Sequence, residues 1–300
     1  MFDLIIIGAG PAGITASVYA ARKKINFLII TNDIGGQAAL SGDIENYTGY
    51  QFITGPELSA KFEEHMHKYD MPLKENEEVL EIKKIDKKVL VKTNKSIYET
   101  KTVIISSGKR SKELGVSGEK EFKNRGLSYC ATCDGPLFSE KDVVVIGGGN
   151  SALDATLQLI NIAKHIHLIN ILPNLGGDAI MREKVNNSGK VTVLNNTKIT
   201  AILGDKLVKE IKIESNGKEN ILSVQGVFIE IGLIPNSEFV KEVEKNELGE
   251  IKVNCHNETN IPGIFAAGDV TNVPEKQIII AAGEGAKATL SAFKYLLHHE

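Results

Sequence analysis

Residues 3–13 read Asp-Leu-Ile-Ile-Ile-Gly-Ala-Gly-Pro-Ala-Gly, and residues 143–152 read Val-Val-Val-Ile-Gly-Gly-Gly-Asn-Ser-Ala. Each is an apolar run, then a glycine turn, then a helix-periodic segment that continues to Arg22 in the first case and to about Lys164 in the second. An unbroken apolar run suits a parallel strand buried on both faces. The glycines allow a tight bend and close backbone approach, and the helix beyond offers unpaired N–H groups and a positive dipole to a pyrophosphate. A single copy is equally well a strand-to-helix turn that binds nothing. Two copies, with Gly8 and Gly147 139 residues apart, predict an α/β fold of two Rossmann-like nucleotide-binding domains.

A chain of 300 residues has room for two such domains. The strand expected at Thr102–Ser106 closes on Ser106-Ser107-Gly108, and the second unit ends near Gly226–Glu230 and Gly232-Leu233-Ile234-Pro235-Asn236. The last strand-turn, Gly263-Ile264-Phe265-Ala266-Ala267-Gly268-Asp269, is far in sequence from the glycine turn it should complete. The second domain is therefore read as inserted into the first. Residues 1–111 and 241–300 form one domain and residues 112–240 the other, and a C-terminal helix is expected from about Gly283 to His298.

Composition narrows the function. With no Trp and 6% aromatic residues, a surface that stacks sugars or single-stranded bases is not expected. A net charge of −3 gives no reason to expect nucleic acid or an anionic membrane. Leu4–Ala21 carries no charge and approaches a bilayer span in length, but Gly8, Gly10, Pro11 and Gly13 break it into strand, turn and helix. Met1-Phe2-Asp3 leads straight into a strand with no basic leader or cleavage site, so a cytoplasmic protein is expected.

The three cysteines are Cys130, Cys133 and Cys255. The first two are spaced C-x-x-C, and no second Cys/His pair exists to complete a metal site, so redox chemistry is favoured over zinc. His165 and His167 alternate on a strand and make no metal site by themselves. Cys255 has no assigned role. Asp134 follows Cys133 directly. A carboxylate there would raise a thiol pKa, which suits a proton donor and acceptor better than a thiolate stabiliser.

In Cys130-Ala131-Thr132-Cys133-Asp134-Gly135 the chain resembles the low-molecular-weight flavin thioredoxin reductases, and also the flavoprotein component of alkyl hydroperoxide reductase. The resemblance extends over nearly all of the chain, through both glycine turns, Gly35-Gly36-Gln37, Glu45-Asn46-Tyr47 and Gly268-Asp269…Lys276-Gln277. It implies domains of the glutathione-reductase type, FAD as cofactor, thioredoxin as partner and a homodimer. It further implies that Cys133 faces the flavin, that Cys130 attacks the substrate disulfide, and that Asp134 handles protons. Gly8, Gly10 and Gly13 would line the pyrophosphate, with Asp33 at a ribose. Gly36, Gln37, Asn46, Val79, Asp269, Gln277 and Ile278 would lie along the rest of the cofactor, and the C-terminal helix would aim its positive end at the flavin.

The second nucleotide site departs from these relatives. After His167-Leu168-Ile169 comes Asn170-Ile171-Leu172-Pro173-Asn174-Leu175-Gly176-Gly177, with no acid for a ribose diol and no guanidinium for a 2′-phosphate. Arg182 lies beyond, on a helix surface. The chain thus looks like the reductases that take electrons from ferredoxin. A plant-type ferredoxin near −400 mV and a thioredoxin near −270 mV leave roughly 130 mV, about 6 kcal/mol over two electrons. Lys109, Arg110, Lys112, Lys120, Lys123 and Arg125 stand against Glu113, Glu119 and Glu121 as a docking surface for an acidic donor, or as a solvated linker. Lys83-Lys84-Ile85-Asp86-Lys87-Lys88 reads as a hairpin turn. NADPH or NADH as donor, or a peroxidase served through a separate carrier protein, are the alternatives. The inserted domain is expected to rotate on linkers near Ser111–Glu119 and Pro235–Phe239.

Overall fold

The apolar runs become central strands. Phe2–Ala9 pairs in parallel with Phe27–Ile34 on one side and with Ile97–Ile105 on the other. Ile264–Ala266 adds in parallel to the end of Ile97–Ile105, and the antiparallel hairpin Val79–Ile85/Lys88–Thr93 continues the sheet. Side chains alternate across this sheet. Leu4, Ile6, Ile29 and Ile104 pack with residues of the helices Pro11–Arg22 and Ile278–His298, while Ile5, Ile7, Leu28, Ile30, Val103 and Ile105 pack with Val240, Val243 and Ile251. Leu4–Ala21 is thus a buried strand and the helix on it, and no helix among the described residues is long and apolar enough to cross a membrane.

The computed structural model describes residues 1–41 and 43–298, the side chains of Asp43 and Cys133 excepted. It divides into one unit of Met1–Arg110 with Ile234–Glu300 and a second of Ser111–Leu233. Residues 234–240, grouped with the inserted domain on sequence, belong to the first unit. There Phe239 O accepts from Ile82 N–H at 3.1 Å and Val240 enters the core. Apolar residues on both sides of Pro235 drew them in.

In the second unit five short strands lie parallel in the order Leu127–Ser128, Gly226–Ile229, Asp142–Ile146, His165–Ile169, Val191–Leu194. Val143, Val145, Leu168 and Phe228 pack with the helix Asn150–Ile160. Val144, Ile146, Val227 and Ile229 pack with an antiparallel sheet built from Thr197–Gly204, Val208–Ser215 and Lys218–Ser223. The two-domain α/β fold expected from the paired glycine turns is the fold found.

Two local expectations change. The C-terminal helix begins at Ile278, not Gly283. Gly283 and Gly285 lie inside it, and Gly285 is where it crosses the first helix: a Cβ there would sit 2.0 Å from Ala12 O. The lysine-rich run is a hairpin turn with Asp86 at φ 49°. Lys84 is not one of its exposed cations, because its Nζ is buried without a hydrogen-bond partner among the described residues.

Candidate active site

A cavity of about 870 Å³ opens in the first unit at the carboxyl ends of the parallel strands. Gly8 has φ +97°, and a Cβ on it would lie 2.4 Å from Ser106 O. The turn then enters Pro11–Arg22 through Gly10, whose side-chain direction is open except for Gly35 O at 4.0 Å, and Gly10, Pro11 and Ala12 at the start of the helix line the cavity. Gly13 does not line it. Its missing Cβ allows the helix to pack onto Gly8 O, which would otherwise lie 1.8 Å away.

Of the other residues expected here, Asp33, Gly36, Gln37, Val79, Asp269, Gln277 and Ile278 all line the cavity. Asn46 is joined to it through Gln277, its Nδ2 donating to Gln277 Oε1 at 3.0 Å. Asp33 is exposed, and the inward-facing residue at the end of its strand is Thr31, which accepts from Ala9 N–H and donates to Asp33 O. Asp269 is half-buried, and burial pushes its carboxyl pKa up against the pull of Lys276 and Lys109.

The redox motif lies in the second unit. Cys130 is disulfide-bonded and half-buried, at the start of the one-turn helix Ala131–Asp134. Its N–H donates to the buried Ser128 Oγ at 2.9 Å, and its carbonyl accepts from Asp134 N–H at 3.2 Å. Thr132, between the two cysteines, donates its hydroxyl to Gln158 Oε1 at 2.7 Å, and Gln158 Nε2 donates to Asp154 Oδ2 at 2.7 Å. The Cys133 side chain lies outside the described residues. Cys255 is a free, exposed thiol, and no cluster of metal-ligating side chains occurs among the described residues.

The family model for pyridine nucleotide-disulphide oxidoreductases matches residues 2–285. The chain belongs to that family. A protein named NADH dehydrogenase from Ferdinandcohnia aciditolerans is 41% identical over 99% of this chain and 58% of its own length. A Staphylococcus aureus protein named as a component of alkyl hydroperoxide reductase is 40% identical over 99% of this chain and 60% of its own length. The chain therefore spans a little under two thirds of these relatives. The crystal structure of Lactococcus lactis thioredoxin reductase in its FR conformation superposes with a TM-score of 0.93 at 34% identity, covering 99% of this chain and all of that one.

The pyridine nucleotide-disulphide oxidoreductases of this structural type bind FAD, and the cavity meets that need: a turn opened by Gly8 and Gly10 at a helix N-terminus for the pyrophosphate, with polar groups such as Asp33 and Asp269 also lining it. The chain is thus a member of the pyridine nucleotide-disulphide oxidoreductase family with a cavity that fits a flavin dinucleotide.

The second glycine turn of this oxidoreductase is occupied differently. Asn170 is buried at the end of its strand, and its Oδ1 would lie 2.3 Å from a Cβ on Gly148. Its Nδ2 lies 2.9–3.0 Å from Leu172 O, Asn174 O and Asn195 Oδ1, and its Oδ1 accepts from Leu172 N–H. Both ends of the amide are thus engaged within the chain. Gly176 N–H donates to Gly148 O at 2.7 Å, Asp178 N–H donates to Asn150 Oδ1 at 2.7 Å, and Ile171 and Leu172 are exposed.

Three features escaped the sequence reading. Glu284, buried in the C-terminal helix, accepts from Gly268 N–H at 2.8 Å and so holds the Gly268-Asp269 turn. A lone acid between two helical glycines on an apolar face was the available signal. Glu230 follows the strand Gly226–Ile229 beside the second glycine turn, and burial, then Asp154, push its pKa up to about 8. Finally, Lys109 and Arg110 are not docking cations: Lys109 pairs with Glu250 at 2.9 Å and Arg110 with Glu238 at 2.6 Å. Glu119 is buried as well, accepting from Leu114 and Gly115 N–H and from Tyr129 Oη.

Proposed function

We propose that this oxidoreductase reduces the disulfide of thioredoxin with Cys130 and Cys133 in the cytoplasm, taking its electrons from reduced ferredoxin. The observation that carries the donor assignment is Asn170. Where a nucleotide-binding unit needs a free acid or guanidinium, this chain has an amide whose hydrogen bonds are already made internally. FAD, when bound, supplies the conversion between a one-electron donor and a two-electron disulfide.

The chain's own residues perform the thiol chemistry. Opening the Cys130–Cys133 disulfide breaks one S–S bond and takes up two electrons and two protons, one of which Asp134 holds at its carboxyl oxygen. The Cys130 thiolate then attacks the thioredoxin disulfide and displaces one substrate sulfur, forming a mixed disulfide. Attack by Cys133 on Cys130 Sγ releases the second substrate sulfur and restores the intrachain disulfide, with Asp134 returning a proton. The hydrogen bonds that Cys130 N–H donates to Ser128 Oγ and Thr132 Oγ1 donates to Gln158 Oε1 hold the one-turn helix while the S–S bond opens and closes. Lys112, Lys120, Lys123 and Arg125 remain as exposed cations for an acidic donor, opposed by exposed Glu113 and Glu121.

A second reading keeps the disulfide chemistry and takes NADH as donor. It is favoured by the exposed start of Asn150–Ile160, where Gly149 supplies no side-chain cap, and by relatives named for NADH. Anaerobic mixing of the flavoprotein with stoichiometric reduced ferredoxin, NADPH or NADH separates the two. Rapid loss of flavin absorbance with ferredoxin alone is expected, and equal bleaching by either nucleotide overturns the donor assignment.

A further inference from the structure

The cavity has two halves, and its strand order assigns them. The glycine turn lies at the end of Phe2–Ala9, with Phe27–Ile34 on one side and Ile97–Ile105 then Ile264–Ala266 on the other. A dinucleotide whose pyrophosphate sits at that turn extends one nucleoside over the Thr31–Asp33 side and the other half over the side of Ser106–Lys109 and Gly268–Gln277. In this oxidoreductase the second side carries an unusual group. Lys109 Nζ and Lys276 Nζ both contact a single carboxylate oxygen, Glu250 Oε1, at 2.9 and 3.1 Å. The side chains are 13% and 24% exposed for the lysines and 8% for the glutamate, so the three charges meet largely out of water. Asn246 Nδ2 fixes the other oxygen at 2.7 Å, and Lys276 also donates to Thr271 O. Burial alone would push the Glu250 carboxyl up, but the hydrogen bonds from Lys109, Asn246 and Lys276 hold it at about 2. Arg110 and Glu238, also on this wall, pair with each other. The local charge is therefore two ammonium groups against Glu250 and the half-buried Asp269.

We propose that Lys109 is a second cation of the cofactor site: with Lys276 it sets the electrostatic potential over the half of the cavity opposite the Thr31–Asp33 side, and so the midpoint potential of the bound flavin. The inference rests on FAD occupying this cavity. Reduction adds negative charge to the isoalloxazine, so a cation held close by in a poorly solvated wall favours the reduced form. Lys109 acts there as a charge with fixed position, because Glu250 clamps it.

The test is an anaerobic redox titration of purified protein against reference dyes, read from flavin absorbance. Lys109→Met removes one positive charge and should shift the equilibrium about tenfold toward oxidised flavin, a fall of about 30 mV for two electrons. Glu250→Gln removes one negative charge, keeps a partner for Asn246, and should move the potential the opposite way. Lys109→Arg should leave it at the wild-type value. A role confined to packing moves both charge variants in one direction or neither, and either result overturns the assignment. A protein that binds no flavin overturns the cofactor reading itself, a failure visible before any titration.

Discussion

At the scale of single residues, the cofactor cavity and the dithiol can be separated by mutation, because every residue lining the cavity belongs to the unit of Met1–Arg110 with Ile234–Glu300, whereas Cys130 belongs to the other. Cys130→Ser should therefore keep the flavin spectrum and its bleaching by the donor while thioredoxin reduction falls by at least about a hundredfold. Retained turnover would remove the dithiol from the mechanism. Glu230 supports a pH prediction. Its folded pKa, raised to about 8 by burial and then by Asp154, exceeds the ordinary value of 4.5. Between those values the unfolded chain gives up the proton that the fold keeps, so the fold binds more protons and stability falls as pH rises through that window. Glu230→Gln abolishes this titration. Urea midpoints at pH 5, 6, 7 and 8 should show the variant gaining on the parent by up to about 1.4 kcal/mol per pH unit, with the gain ending above pH 8. A constant difference across that series would mean that Glu230 is ionised throughout.

At the scale of elements, the first and last helices meet through small residues, and two neighbouring glycines of one helix should respond oppositely. Gly285 has no space for a methyl group, since its Cβ would fall 2.0 Å from Ala12 O, next to the pyrophosphate turn. Gly285→Ala must push the helices apart and should cost about 1–3 kcal/mol, with weakened flavin retention on desalting. Gly283 is exposed, helical and has nothing within 4 Å of its Cβ position. Gly283→Ala should stabilise by about 0.5–1 kcal/mol through the unfolded chain. Thermal unfolding of the two variants beside the parent decides the matter, and equal effects would contradict this packing. The sequence reading had the helix opening at about Gly283. What misled it is that helical glycine serves close packing as readily as capping, and only the partner, Ala12, distinguishes the two.

At the scale of the whole molecule, the parts legible in sequence were those written in consecutive residues: the buried strands, both glycine turns, and short runs such as Gly36-Gln37 and Gln277-Ile278 that line part of the cavity. What was not legible depends on distant partners. Glu250 and Lys276 draw Lys109 out of what looked like a basic docking stretch, and Phe239 and Val240 move the second domain crossing to Leu233–Ile234. Those crossings bear on turnover. If the proposed function holds, a single dithiol serves both the flavin and a protein disulfide, and the prediction is that the unit carrying it rotates about Arg110–Ser111 and Leu233–Ile234 in each cycle. The crossings pair as the two-stranded sheet Lys109–Ser111 and Leu233–Pro235, with Gly232 beside it at φ +102° and nothing within 4 Å of its Cβ position. That conformation strains any β-branched residue, so Gly232→Val perturbs a crossing and fills no cavity. The variant should retain its flavin and its reduction by donor at wild-type rate, while thioredoxin turnover drops several-fold at saturating thioredoxin with KM little changed. Scattering profiles of the parent should differ between the oxidised and donor-reduced protein, and the variant should narrow that difference. Superimposable profiles for the parent in both states would rule out rotation and require one arrangement to serve both partners.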